Sequence, residues 1–228
     1  FLINNYYYFE SALTDEQCDK IIESGEAEMD SIIKSGGSID ATVDGRKSAA
    51  KGEGSISALD LTKSQLKRKN INLNEVFIRD THVSWLNIPD IYDILHPFVN
   101  AANHQAGWNF QWDYSENMQY TKYGEKQFYG WHVDCNRLPY DMNQHPSVVG
   151  KIRKLSMTVN LSNPNEYTGG NLRFDFGPHI KERFHTCNEI RPRGSIIVFP
   201  SHIHHQVTPV KSGTRRSLVM WSLGLPFR

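Results

Sequence analysis

The chain has 228 residues, with 25 Lys+Arg against 25 Asp+Glu and 39% hydrophobic residues. That length suits one domain with a sizeable core, and the zero formal charge excludes a global electrostatic pull, so neither nucleic acid nor a membrane is expected as a partner. Three cysteines (Cys18, Cys135 and Cys187) without CxxC spacing argue against a disulfide framework or structural zinc and for a reducing compartment.

No apolar run approaches the roughly 20 residues that span a bilayer. The opening FLINNYYYFE has no basic stretch followed by an apolar core, so it does not read as a signal peptide. A helix is expected first. Thr14 and Gln17 have the spacing of a capping box, and Cys18, Ile21, Ile22, Met29, Ile32 and Ile33 recur at the helical period. Residues 35–58 are rich in Gly, Ser and Ala and read as a long loop or lid, with the covering part at 36–58. The basic run at 63–70 reads as a solvated helix face. A second helix is expected over 89–103. Pro89 suits its first turn, Ile91, Ile94, Leu95, Phe98 and Ala102 form one face, and Pro97 is placed to kink it.

From about residue 107 the period changes. Trp108, Phe110, Trp112 and Tyr114 alternate with smaller or polar residues. Further strands are expected near 117–123, 128–134, 154–161, 170–175, 195–199, 204–210 and 214–222, divided by turn signals at 123–126, 163–170, 191–194 and 211–213. Eight short strands in succession suit a two-sheet jelly roll, or double-stranded β-helix, although a sandwich of another topology satisfies the same strand list. The expected class is α+β and mainly β: a single domain over 1–228, helical and irregular to 105, with the β core from 106.

Three features of the β part carry chemistry. His132 and Asp134 are two apart on a predicted strand, so they share a face and can share a metal. Such a pair alone is common and usually structural. Downstream, His202, His204 and His205 cluster at the start of another strand, and any one of them would complete a set of two histidines and one carboxylate. That facial set leaves positions open and suits iron(II) and oxygen chemistry. Lastly, Arg215, Ser217, Val219 and Trp221 share one face of the final strand. A guanidinium on an inward apolar face is costly without an anion, and a dicarboxylate cosubstrate would supply one. The aromatic residues Tyr120, Trp131 and Trp221 read first as core packing, and Cys135 as a small buried residue.

The ordered set resembles the 2-oxoglutarate oxygenases, and among them the prolyl 4-hydroxylase-like group with bacterial and phage members. The resemblance runs from Leu13-Thr-Asp-Glu-Gln-Cys18 through Glu116-Asn-Met-Gln-Tyr-Thr-Lys-Tyr-Gly124, Tyr129 and His132-Val-Asp134. Tyr167-Thr-Gly-Gly170, Phe199-Pro200 and the span His205 to Arg215 complete it. It implies a cupin-like double-stranded β-helix and oxidative decarboxylation of 2-oxoglutarate coupled to C–H hydroxylation. The cofactors implied are Fe(II), 2-oxoglutarate and O2, with ascorbate as reductant.

By the same resemblance His132, Asp134 and His205 ligate the iron. His205 is favoured over His202 and His204 by standing ten residues before Arg215. Arg215 would hold the distal carboxylate of 2-oxoglutarate, aided by Tyr123 and Ser217, while Tyr129 and Trp131 would meet substrate. The family tyrosine on the strand matched by 156–161 has no counterpart here. The implied substrate is a proline in a peptide or protein, of the procollagen-proline type, and the implied location a bacterial or phage-infected host cytosol. Two other readings stay open: the same chemistry on another side chain, a free amino acid or a small metabolite, and a cupin-like metal-binding sensor without turnover.

Overall fold

The computed structural model of the chain describes residues 4–43, 46–47, 79–136 and 138–227. The expected lid from residue 48 onward and the basic run at 63–70 lie outside the described residues.

A short strand, β1 (Tyr7–Phe9), leads into helix α1 (Asp15–Lys34). The helix starts on the cap that the sequence indicates. Thr14 Oγ1 accepts from the Gln17 amide at 3.2 Å, and Gln17 Oε1 accepts from the Thr14 amide at 2.9 Å. Cys18, Ile21, Gly25 and Met29 are buried, whereas Ile33 is exposed. At about 100° per residue Ile33 falls at the margin of the apolar stripe. Gly25 sits within it and sets how closely the helix approaches the sheet, since a Cβ there would lie 2.2 Å from the ring of Tyr120. Next come β2 (Thr42–Val43), β3 (Arg46–Lys47), β4 (Arg79–Asp80) and β5 (His82–Leu86), then helix α2 (Pro89–Gln105). Pro89 opens α2, and Ile91, Leu95, Val99, Ala102 and Asn103 are buried.

The remaining strands are β6 (Tyr114–Ser115), β7 (Met118–Tyr123), β8 (Phe128–His132), β9 (Ile152–Asn160), β10 (Tyr167–Gly169), β11 (Leu172–Asp175), β12 (Phe184–Thr186), β13 (Ile196–Pro200), β14 (His204–Val207), β15 (Val210–Gly213) and β16 (Arg215–Gly224). The major sheet runs β1-β13-β9-β16-β7-β5, with β6 also on β16. The minor sheet runs β12-β11-β14-β8-β4, and the pairs β10-β15 and β2-β3 stand apart from both. All these pairings are antiparallel. The architecture is a double-stranded β-helix. The outer face of the major sheet shares one apolar core with both helices, including Leu95, Leu155, Met157 and Leu218. A second core between the sheets gathers Tyr123, Phe174, Ile197 and Phe199.

The structure corrects several boundaries. Trp108 to Trp112 form no strand, because Asn103 turns the chain instead: its amide donates to Phe110 O and its carbonyl accepts from Phe110 N, both at 2.9 Å. The aromatic residues there pack beside α2, so their alternation marks a core contact. Strands β1 to β5 come from the part expected to be helical or irregular, β2 and β3 from the stretch read as a loop. The strand expected at 204–210 breaks in two at Pro209, which has no N–H to pair.

Candidate metal centre

Strand pairing brings the first two imidazoles together. In the register of β14 on β8, His205 lies opposite His132, and a bulge follows before Val207 meets Tyr129. The ring centroids of His132 and His205 are 4.1 Å apart. Asp134 follows β8 and turns toward both, with Oδ1 3.5 Å from His132 Nε2 and Oδ2 3.5 Å from His205 Nε2. Among the described residues these three form the one His/Cys/Asp/Glu group whose ligand atoms all lie within 4.8 Å of one another. His202 and His204 are exposed. Alternation along β14 turns His204 away from the face that His205 uses, and His202 lies in the turn before the strand.

Hydrogen bonds fix which nitrogen each imidazole presents. His132 Nδ1 is 2.7 Å from Gly130 O, and His205 Nδ1 is 2.9 Å from Ile203 O. A carbonyl only accepts, so each Nδ1 carries the proton and each Nε2 offers its lone pair inward. The carboxylate is held by the major sheet. Ser156 Oγ donates to Asp134 Oδ2 at 2.7 Å and lies 2.9 Å from Ser201 Oγ, and Ser201 O accepts from the Asp134 amide at 2.9 Å. Phe199 packs edge-on against His205 at 4.7 Å.

Electrostatics favours the ligand-competent forms. Burial alone would raise the Asp134 carboxyl, but His205, His132 and the Arg153 guanidinium outweigh it and hold the group well below the ordinary carboxylate range. Burial, reinforced by His132, pushes His205 down to about 4 against the opposing pull of Asp134. At neutral pH the site therefore presents an ionised carboxylate and a neutral buried imidazole, as metal binding requires. With three protein ligands and no fourth among the described residues, the donor set fits iron(II).

Arg215 lies across the barrel, opposite Tyr123 in the β16–β7 register. It is only 2% exposed, its Nη1 donates to Ser217 Oγ at 3.1 Å, and its guanidinium stands 5.4 Å from the centre of the Tyr123 ring. Among the described residues it has no ion pair. Gly170 explains part of the Thr-Gly-Gly motif: its φ is +57°, and a Cβ there would come 3.0 Å from Arg215 Cδ and 3.1 Å from Val210. A larger residue would push the guanidinium aside.

The remaining candidates divide. Tyr129 stacks on His132 with centroids 3.5 Å apart, because the bulge in β8 turns both to one face. Trp131 does not join them. It is 39% exposed and sits against Phe184 and Arg173, whose strand neighbours Leu172 and Phe174 point into the core. Trp131 therefore lies on the outer face of the minor sheet, away from the metal ligands. Trp221 lines the barrel beneath Arg153, whereas Tyr120 belongs to the helix-side core. Cys135 is half-buried rather than buried, and all three cysteines are free. Arg79, Arg153, Ser156 and Ser201 escaped the sequence reading, because their relation to the site arises across strands.

A groove of about 530 Å³ between Asn109–Asp113 and Gly224–Phe227 contains none of the three ligands. No helix among the described residues is long and apolar enough to cross a membrane.

Residues 118–223 match the 2OG-Fe(II) oxygenase superfamily. A PKHD-type hydroxylase of Synechococcus sp. (strain CC9605) is 37% identical over 93 residues, which are 41% of this chain and 35% of that protein. A PKHD-type hydroxylase of Alteromonas mediterranea is 36% identical over 104 residues, 45% of this chain and 41% of that protein. The chain thus spans well under half the length of these curated relatives. The viral collagen prolyl hydroxylase of Paramecium Bursaria Chlorella virus-1, solved with 2OG, superposes with a TM-score of 0.55 at 18% identity, covering 98% of both chains. At that identity the likeness speaks for the fold. The resemblance read from the motifs is borne out by these matches.

Proposed function

We propose that a chain with this oxygenase-type core is an Fe(II)- and 2-oxoglutarate-dependent dioxygenase that hydroxylates a peptidyl proline. One observation carries the reading: two imidazoles and a carboxylate converge inside a barrel that also buries a guanidinium with no carboxylate to pair with among the described residues. An unpaired buried cation is strongly disfavoured unless a ligand supplies the anion, and 2-oxoglutarate has a distal carboxylate to supply.

Iron bound there would couple the decarboxylation of 2-oxoglutarate to succinate and CO2 with transfer of one oxygen atom from O2 to a substrate C–H bond. The protein's part is binding and orientation. His132 and His205 present Nε2, and Ser156 holds the Asp134 carboxylate in place. Arg215 takes the distal carboxylate through its fork of donors while Ser217 fixes the guanidinium. Tyr123, directly across the strand pair, adds a phenol to the same end. Tyr129 covers the His132 ring, and Trp221, opposite Ser156 in the β16–β9 register, adds an aromatic surface inside the barrel.

The peptidyl proline is supported by the names of the similar proteins, which are PKHD-type hydroxylases and prolyl hydroxylases. It is also supported by the aromatic walls, on which a pyrrolidine ring packs well. A procollagen-like target and ascorbate as reductant extend the same reading. Proline-containing peptides are expected to stimulate succinate formation and to gain one oxygen atom on proline, read by mass spectrometry. Oxidation of free amino acids but of no peptide would overturn the peptidyl assignment. Metal binding without succinate formation on any substrate would overturn the enzymatic one.

A further inference from the structure

A second buried guanidinium stands in the barrel without a carboxylate. Arg79 is 4% exposed and lies opposite Tyr129 in the β4–β8 register. Its guanidinium sits over the Tyr129 ring, 4.4 Å from the centroid, and the same ring stacks on His132 at 3.5 Å. One phenol therefore separates this cation from a metal ligand. Arg79 Nη2 donates to Gln119 Oε1 at 2.7 Å, while Nε is buried with no acceptor. Among the described residues Arg79 forms no ion pair.

The other two barrel arginines differ. Arg153 is neutralised by Glu116, whose Oε2 lies 2.7 Å from Nε and 2.6 Å from Nη2. Arg215 is the group that the functional reading assigns to 2-oxoglutarate. Arg79 is left over. It stands near a further orphaned donor: Trp221 Nε1 is buried with no acceptor, two residues along β16 from Val219, which faces Gln119. This wall of the barrel is rich in donors and short of acceptors. Burying an unpaired cation is costly, so a ligand that supplies the missing anion is favoured over a neutral one of the same shape.

We infer that Arg79, with Gln119, is a specificity-determining site that takes a carboxylate of the substrate, so that the chain selects acidic peptides. The inference rests on the peptidyl hydroxylase reading and goes further by fixing the substrate's charge. The carboxylate could belong to an Asp or Glu side chain or to a peptide's own C-terminus, and the test separates these sources.

The test uses the full chain loaded with Mn(II) and 2-oxoglutarate under anaerobic conditions. Its probes are short acetylated peptides with one proline, carrying Glu or Gln at each flanking position in turn, and a further pair with free or amidated C-terminus. Close charge pairs in such surroundings discriminate by at least about tenfold. The expected result is that preference for the charged member of at least one pair, either a Glu/Gln pair or the C-terminal pair. The preference should fall to near parity in Arg79→Gln and survive in part in Arg79→Lys. If Arg79→Gln does not fold, the wild-type ratio and Arg79→Lys still decide. Equal affinity within every pair, no binding by any peptide, or an undiminished preference in Arg79→Gln overturns the inference. The functional reading fails differently: under O2 with iron it fails when no peptide is oxidised, whereas equal oxidation of charged and neutral peptides sinks the Arg79 site alone.

Discussion

The two sheets of the barrel are both antiparallel but are buried very differently. In the major sheet, β13 is buried at every position and β9 at all but Arg153. One face packs on α1 and α2 and the other lines the barrel. In the minor sheet, no residue of β8 is fully buried, and β11 alternates with partly exposed positions. Yet the minor sheet carries both histidine ligands. Rigidity reaches the ligands from across the barrel, where Ser156 on β9 and Ser201 just after β13 fix the carboxylate. The minor sheet thus holds the imidazoles, whereas the major sheet supplies the larger core together with the inward Arg215 and Tyr123, and substitutions should separate stability from chemistry.

The largest stability effect is expected in the major sheet. Leu218 is fully buried in the core that the major sheet shares with the helices, so Leu218→Ala should cost about 2–5 kcal/mol in denaturant unfolding. A cost below 1 kcal/mol there would break the contrast. Arg215→Met should act the other way round. It should weaken 2-oxoglutarate binding by on the order of 2–5 kcal/mol in calorimetry. The same change removes an unpaired buried cation, so ligand-free stability should hold or rise.

Acid should expose the minor sheet next. His205 stays neutral down to about 4 in the folded, metal-free protein, against an ordinary value of 6.5. The unfolded chain takes up that proton first. Stability from this group is complete above about 6.5 and declines as pH falls toward 4. Asp134 is depressed in the folded state, so its contribution is held above its ordinary 3.8 and lost as pH falls below it. Urea midpoints measured across this range should fall on acidification, and His205→Gln should flatten the limb between 6.5 and 4. The smallest effect is expected for Tyr123→Phe. Removal of one neutral hydrogen bond should weaken 2-oxoglutarate by roughly 0.5–1.5 kcal/mol, and an effect as large as that of Arg215→Met would mean that the phenol does more than assist.

What the sequence showed and what it hid follow the same division. The cap at Thr14 and Gln17 and the inward row Arg215, Ser217, Val219 and Trp221 depend on local spacing, and both were legible. His132 and Asp134 do meet, although β8 ends at His132 and a turn, not the strand face that the spacing implied, brings the carboxylate in. The bulge in β8 was not legible, since the extra residue shows only against the partner strand, and it separates Trp131 from Tyr129. Arg79 sits on a strand of two residues, too short to show a period. Ser156 and Ser201 stand 45 residues apart, and nothing local marks either as a support for Asp134.

The central claim is that one iron is held by His132, Asp134 and His205. Anaerobic Fe(II) titration of the wild type, His205→Ala and His204→Ala tests it most directly. One tightly bound iron per chain is expected in the wild type and in His204→Ala, and none in His205→Ala. Full binding in His205→Ala, with loss in His204→Ala, would contradict it.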